Sequence, residues 1–319
     1  MRTLLVRELI GPDGLRFDDV DVPPAPAGGA VRVAVHAAGV GFVDVLLARG
    51  RYQVTPDLPF APGLELSGVV EVAPEGSGFV AGQPVIGHVM PGAFAEVAWV
   101  PPRLLAPLPG PLSHVEGAAI VVNHHTALVT LVRRAQLRVG ERVLVHGAGG
   151  GLGSAMVQVA TALGAEVLAV AGSPGRRDLA GDAGASTVYG HDDWFDAVRA
   201  AGGADLIVDP VGGEVFDKSV RCLAPEGRLV TVGFASGTIP RAPANRLLLR
   251  NAGVLGAAWR ELLDDDRALF ARTAEQLADL VHAGLRPLVT QQFDLADGAA
   301  ALRAIEEQEV AGKAVLTVR

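Results

Sequence analysis

The chain has 319 residues, roughly twice the ~150 of one ordinary domain, so two domains are expected. Half of it is hydrophobic and 19% is charged, which excludes a disordered or tail-like protein. Its 27 basic and 35 acidic residues leave a formal charge of −8, so nucleic acid is not an expected partner and only a local basic site could draw a phosphate.

The single cysteine, Cys222, allows neither an internal disulfide nor a four-cysteine zinc site. The opening MRTLLVRELIGPDG is charged at Arg2, Arg7 and Glu8 and does not read as a signal peptide. The most apolar stretch, 117–132, is interrupted by Asn123, His124 and His125, so no membrane span is expected and the cytoplasm is the expected location. Only Lys218 and Lys313 are lysine, which reads as compositional bias.

Up to about residue 112, turns are dense: PPAPAGG at 23–29, PG at 62–63 and at 91–92, then PP and PLPGP. Short β-like runs lie between them at 31–40, 67–72 and 93–100, the first alternating Val with Arg, Ala or His. Together they predict a barrel-like β unit. Ser113 with Glu116 three positions on has capping-box spacing and predicts a long helix over 113–136.

From Arg142 strands and helices alternate to about 258, the pattern of a parallel sheet covered on both faces. The tail predicts a helix at 268–283, a strand near 288–293, a short helix at 297–307 and a final strand. That tail is expected to return to the β unit. The predicted fold class is therefore α/β: a β-barrel unit formed by 1–118 and 262–319, and a doubly wound parallel-sheet unit formed by 119–261.

The strongest local signal is Arg142-Val-Leu-Val-His-Gly-Ala-Gly-Gly-Gly-Leu-Gly153, followed by an apolar helix. Gly147, Gly150 and Gly153 are three apart within strand–turn–helix. Glycines there let backbone N–H groups approach a pyrophosphate, at a helix end with partial positive charge. The next strand ends in Ala171-Gly172-Ser173-Pro174-Gly175-Arg176-Arg177, without the carboxylate that would hold a ribose 2′-hydroxyl. A hydroxyl and two guanidinium groups suit a 2′-phosphate, so NADPH is the expected coenzyme. Two arginines at a solvated helix start are the alternative.

Several segments jointly resemble the zinc-independent quinone oxidoreductase branch of the medium-chain dehydrogenase/reductases. They are Ala37-Ala-Gly-Val-Gly-Phe-Val-Asp44, Gly50-Arg-Tyr52, Leu58-Pro-Phe-Ala-Pro-Gly-Leu-Glu65, Gly92-Ala-Phe-Ala-Glu96, Asp209-Pro-Val-Gly-Gly213 and Val232-Gly-Phe-Ala-Ser-Gly237. The resemblance implies a GroES-like substrate domain and a Rossmann cofactor domain. Cofactor contacts are implied at Thr126, Gly147, Gly149, Gly150, Gly151, Leu152, Ser173, Arg176, Arg177, His191, Val211, Gly233, Phe234 and Ala235.

The resemblance also implies a pocket phenol or proton donor at Tyr52; with an ordinary pKa of about 10 a phenol stays protonated at neutral pH. Zinc-dependent relatives carry Cys near Gly39 to Gly41 and His in Gly-His-Glu. Here Cys is absent and Leu64 replaces His, so no metal is expected. Adjacent His124 and His125 would point ~100° apart on a helix and cannot share an ion. In two departures, Gly41 stands where relatives have Asn, and His191 where they often have Tyr.

The expected activity is hydride transfer from NADPH to a quinone or an α,β-unsaturated carbonyl, with a homodimer formed through the last sheet strand near 253–258. A stand-alone enoyl thioester reductase, for which Arg49, Arg51 and Arg260 are the available basic residues, and a non-catalytic NADPH-binding sensor are the alternatives.

Overall fold

Frequent turns keep the strands of the N-terminal region short. In the computed structural model, which describes residues 1–26 and 28–319, β1 (Arg2–Val6) pairs antiparallel with β2 (Leu15–Asp19). β3 (Val31–Val40) matches its predicted bounds, is buried along almost its whole length and is paired on both edges. α1 (Phe42–Ala48) follows, then β4 (Glu65–Val72), β5 (Pro84–His88), β6 (Val97–Val100) and β7 (Leu105–Pro107).

α2 (His114–Leu128) opens with the predicted capping box: the Ser113 N–H donates to Glu116 Oε2 at 2.8 Å and the Glu116 N–H to Ser113 Oγ at 3.3 Å. It does not run on as an α-helix to 136. Beyond Leu128 the backbone widens into a π turn over Val129–Arg134, with the Ala135 N–H bonded to Thr130 O. Its Val129, Thr130 and Leu131 are buried. The stretch 114–134 has the length and hydropathy of a membrane span, yet 67% of its most apolar window is buried, as in a core helix.

The second unit alternates β8 (Arg142–His146), α3 (Gly151–Ala162), β9 (Glu166–Val170), α4 (Pro174–Asp182), β10 (Thr187–Tyr189), α5 (Trp194–Ala200), β11 (Ala204–Asp209), α6 (Gly213–Arg221), β12 (Leu223–Thr231), α7 (Ala244–Arg250), β13 (Gly253–Gly256) and α8 (Trp259–Asp265). Its six strands are all parallel, in the order β10-β9-β8-β11-β12-β13. The chain reverses its direction of sheet growth between β8 and β11, and the carboxyl ends of strands at such a switch point are where this fold class binds ligands. Val143, Leu144 and Val145 of β8 and Leu206, Ile207 and Val208 of β11 are buried, which explains their uninterrupted apolar runs.

The tail supplies α9 (Leu269–His282), β14 (Val289–Asp294), α10 (Gly298–Glu306) and β15 (Lys313–Thr317). It does return to the first unit: β15 pairs antiparallel with β3, giving the sheet β14-β15-β3-β4-β5-β7 with β6 also on β3. The chain thus divides into Met1–Val122 with Asp266–Arg319, and Asn123–Asp265, a few residues beyond the cuts at 118/119 and 261/262 read from sequence.

Candidate active site

In the second unit β8 runs straight into the glycine turn. Gly147 has φ +61, and Gly150, which precedes α3, donates its N–H to Gly147 O at 3.0 Å. A Cβ on Gly153 would stand 2.1 Å from Gly147 O, so the third glycine lets the helix close onto the turn. A Cβ on Gly149 would stand 2.4 Å from the Arg176 Cβ. Gly151 and Leu152 start α3, both half-buried.

The next strand end meets this turn. The Ala148 N–H bonds to Val170 O, and Arg176 Nη1 donates to Gly149 O at 3.4 Å. Arg177 Nη1 donates to Gly172 O at 2.5 Å, and a Cβ on Gly172 would stand 2.8 Å from His191 Nε2. Ser173 sits exposed at the N-cap of α4, its hydroxyl making no cap bond. One end of the sheet therefore gathers the glycines with Ser173, Arg176, Arg177 and His191. The residues fit a dinucleotide: side-chain-free backbone at the turn, the N-terminus of a twelve-residue helix, and two guanidinium groups in place of a carboxylate.

Two further turns stand at the ends of β11 and β12. Asp209 Oδ1 accepts the N–H groups of Val211 (2.8 Å) and Gly212 (3.0 Å), while its buried Oδ2 has no partner among the described residues; burial raises the pKa of this carboxyl. The Ala235 and Ser236 N–H groups donate to the Pro210 and Val211 carbonyls, both at 3.0 Å. Val211, Gly233, Phe234 and Ala235 thus belong to two turns bonded to each other. Thr126 is half-buried on α2. Beside it, His124 Nε2 lies 3.0 Å from Gln158 Oε1 and the His125 ring 5.3 Å from that of Trp259, two different partners for two adjacent histidines.

His146, at the end of β8, was not read from the sequence. It is buried, with Nε2 2.8 Å from Ser219 Oγ and its ring edge-on to Trp194 at 4.7 Å. Ser219 spends its own proton on Val215 O, so His146 is the donor. Burial pushes its pKa down to about 3 and keeps the ring neutral. Cys222 is also buried, its thiol pushed up to about 11 by desolvation, which makes it a poor nucleophile.

In the first unit Tyr52 is half-buried in the loop after α1. Arg49, at the end of α1, is held by Glu306 through two bonds of 2.8 Å, and Arg260 of the second unit pairs with Glu261 at 3.1 Å. The sequence reading also missed a buried cluster. Lys313 Nζ donates to Glu65 Oε1, and Glu65 Oε2 accepts the Val122 N–H at 2.7 Å. Asp44 accepts the Gly41 N–H at 2.8 Å and the Gly63 N–H at 3.1 Å. Burial pushes the Asp44 carboxyl up to about 7, against the opposing pull of those N–H groups and of Lys313. A Cβ on Gly39 would stand 2.6 Å from the Glu65 carboxylate, so glycine makes room for it. Lys313, read as compositional bias, is one of two lysines and the one that is buried; its rarity among arginines was the available signal.

Among the described residues no three His, Cys, Asp or Glu side chains converge as a metal site, so the donor set does not fit zinc. Residues 27–110 match the alcohol dehydrogenase GroES-like domain and residues 151–279 the zinc-binding dehydrogenase domain. The chain is 37% identical over 308 residues to the mouse quinone oxidoreductase-like protein 2, covering 94% of this chain and 88% of that one. It is 38% identical over 320 residues to the spectinabilin polyketide synthase system protein NorB of Streptomyces orinoci, covering 96% of this chain and 14% of that protein. The quinone oxidoreductase of Thermus thermophilus, whose structures include a complex with NADPH, superposes with a TM-score of 0.87 at 36% identity and full coverage of both chains. The chain belongs to the quinone oxidoreductase branch of the medium-chain dehydrogenase/reductase superfamily.

Proposed function

We propose that this protein is an NADPH-dependent oxidoreductase that transfers hydride to a quinone or an activated alkene without a metal, acting in the cytoplasm as a homodimer joined through β13. The observation that carries the coenzyme choice is Arg176 lying on the glycine turn, with Ser173 beside it and no carboxylate at the end of β9. The bound nicotinamide supplies the hydride. The chain's own part is to seat the pyrophosphate on the Gly147–Gly153 turn, to hold the 2′-phosphate between Ser173, Arg176 and Arg177, and to wall the pocket with Thr126, Val211, Gly233, Phe234 and Ala235. Quinones and enones are acceptors that need no Lewis acid, which suits a donor set unfit for zinc. Tyr52 stands as the proton donor when the acceptor is an alkene.

An enoyl thioester reductase is the second reading, favoured by the likeness to NorB. Against it, Arg49 and Arg260 are already committed to Glu306 and Glu261, which leaves Arg51 alone of the three basic residues considered for a thioester's carrier. A panel of quinones, enones and enoyl thioesters, followed by loss of NADPH absorbance with and without chelator, decides between them. Turnover of quinones or enones in chelator supports the proposal. Turnover restricted to thioesters selects the second reading, and none with any acceptor points to a non-catalytic sensor.

A further inference from the structure

Lys313 opens β15 with its ammonium inside the first unit; its side chain is 6% exposed, and that of its partner Glu65 is 3%. An ammonium carries three N–H donors and no acceptor. One is taken by Glu65 Oε1, and among the described residues Lys313 has no second acceptor. Glu65 is anchored from behind by the Val122 N–H on its other oxygen. Asp44 forms the facing wall, each of its oxygens already accepting a backbone N–H. A buried cation with uncommitted donors is uncommon, since desolvated polar groups are nearly always paired.

The backbone beside this cation is bare. A Cβ built on half-buried Gly41 would stand 3.7 Å from Asp44 Oδ2 and 3.8 Å from Lys313 Nζ, with nothing nearer. Gly41 thus leaves a small recess with an ammonium on one side and a carboxyl on the other. We propose that this recess is a subsite for the oxygen of the acceptor, with Lys313 donating to that oxygen as negative charge develops on it. The proposal rests on the reading of the chain as a quinone or enone reductase. Hydride adds to a carbon conjugated with the C=O group, and the displaced π pair moves onto the oxygen. The enolate or hydroquinone anion so formed then takes its proton from water or from a side-chain donor. Donors fixed in place before that charge appears, in a site poor in water, stabilise it most. The groups facing Asp44 are the Gly41 and Gly63 N–H, the Lys313 ammonium and the Glu65 carboxylate; with its pKa near 7, Asp44 is largely neutral below that pH and does not oppose the oxyanion.

The probe is 4-nitrophenol, whose phenolate and phenol absorb at different wavelengths. Bound to the full-length protein, it should ionise at a pH at least one unit below its value in water. Gly41→Ala closes the recess without touching a charge. The backbone there is extended, with φ −138, and the added methyl meets only ordinary contacts. This variant should lose the shift and lower kcat/KM for the acceptor about tenfold or more, with the Kd for NADPH unchanged. Lys313→Met should lose the shift as well; where it does not fold, Gly41→Ala alone decides. A probe that fails to ionise in the wild type overturns the proposal, as does a Gly41→Ala variant that keeps both the shift and the acceptor kinetics. Failure of the wild type to consume NADPH with any quinone or enone would instead remove the functional reading, because the probe titration needs no turnover.

Discussion

The Arg176 guanidinium lies against the glycine turn, while the Ser173 hydroxyl is not committed to the helix it caps. On the proposed reading each arginine would contribute about 1–2 kcal/mol toward a 2′-phosphate in a wet, screened rim, so Arg176→Ala should raise the NADPH KM by about tenfold and leave that for NADH nearly unchanged. Steady-state kinetics with both coenzymes at two salt concentrations check this, and equal weakening of both would return Arg176 to a surface role. For Tyr52 the reporter is the acceptor: Tyr52→Phe should slow alkene reduction by ~10²-fold and quinone reduction much less, whereas equal losses would mean that the phenol only shapes the pocket. His146 has a folded pKa of about 3, well below the ~6.5 of an unfolded histidine, so its stabilising share is complete above 6.5 and is lost as pH falls toward 3. By pH 5 the loss is about 2 kcal/mol, and His146→Gln, which cannot titrate, should show a smaller drop in Tm from pH 7 to pH 5 than the wild type. The residues proposed for the phosphate flank one turn and one strand end, so two short stretches of sequence carry all of them. The Lys313–Glu65 pair was not legible in the sequence, since its members are 248 positions apart and only the fold brings them together.

Local chemistry made many of the elements readable. The Val-rich 31–40 run became β3 within its predicted bounds, and the capping box at Ser113 opened α2. The exceptions have identifiable causes. α7 buries none of its residues, so Ala244–Arg250 offers no apolar periodicity to detect. The π turn after α2 is a change of hydrogen-bond partner from the i−4 to the i−5 carbonyl, which no spacing rule reports. At the glycine turn the demand for glycine is steric as well as electrostatic. A Cβ on Gly149 would lie 2.4 Å from Arg176 Cβ and 2.7 Å from Arg176 O, so Gly149→Ala must push the turn away from α4. Overpacking of this kind costs ~1–3 kcal/mol. The variant should melt earlier in urea and bind NADPH more weakly, as read by quenching of protein fluorescence. Normal stability and affinity together would show that the turn yields freely.

The parallel sheet of the second unit ends in β13, an edge strand that among the described residues pairs on one side only, with β12. An open edge of this kind invites pairing with another chain unless it is covered or charged. Just before β13, α7 leaves Leu248 76% and Leu249 82% exposed. A twofold axis beside β13 would continue one sheet into its copy and cover both sets of leucines with a self-complementary patch. Withdrawing one leucine side chain from water contributes roughly 2 kcal/mol. Symmetry counts each substitution twice, so Leu249→Glu should cost the dimer about 4 kcal/mol, close to a 10³-fold rise in its dissociation constant. Leu249 is mostly exposed, so the folded subunit should be unaffected, and circular dichroism should report an unchanged melting curve apart from any concentration-dependent part. Light scattering after gel filtration should show a wild-type dimer and a Leu249→Glu monomer at micromolar concentration. A variant that remains dimeric there would place the interface elsewhere on the subunit, and a wild-type monomer would mean that α7 and β13 face solvent.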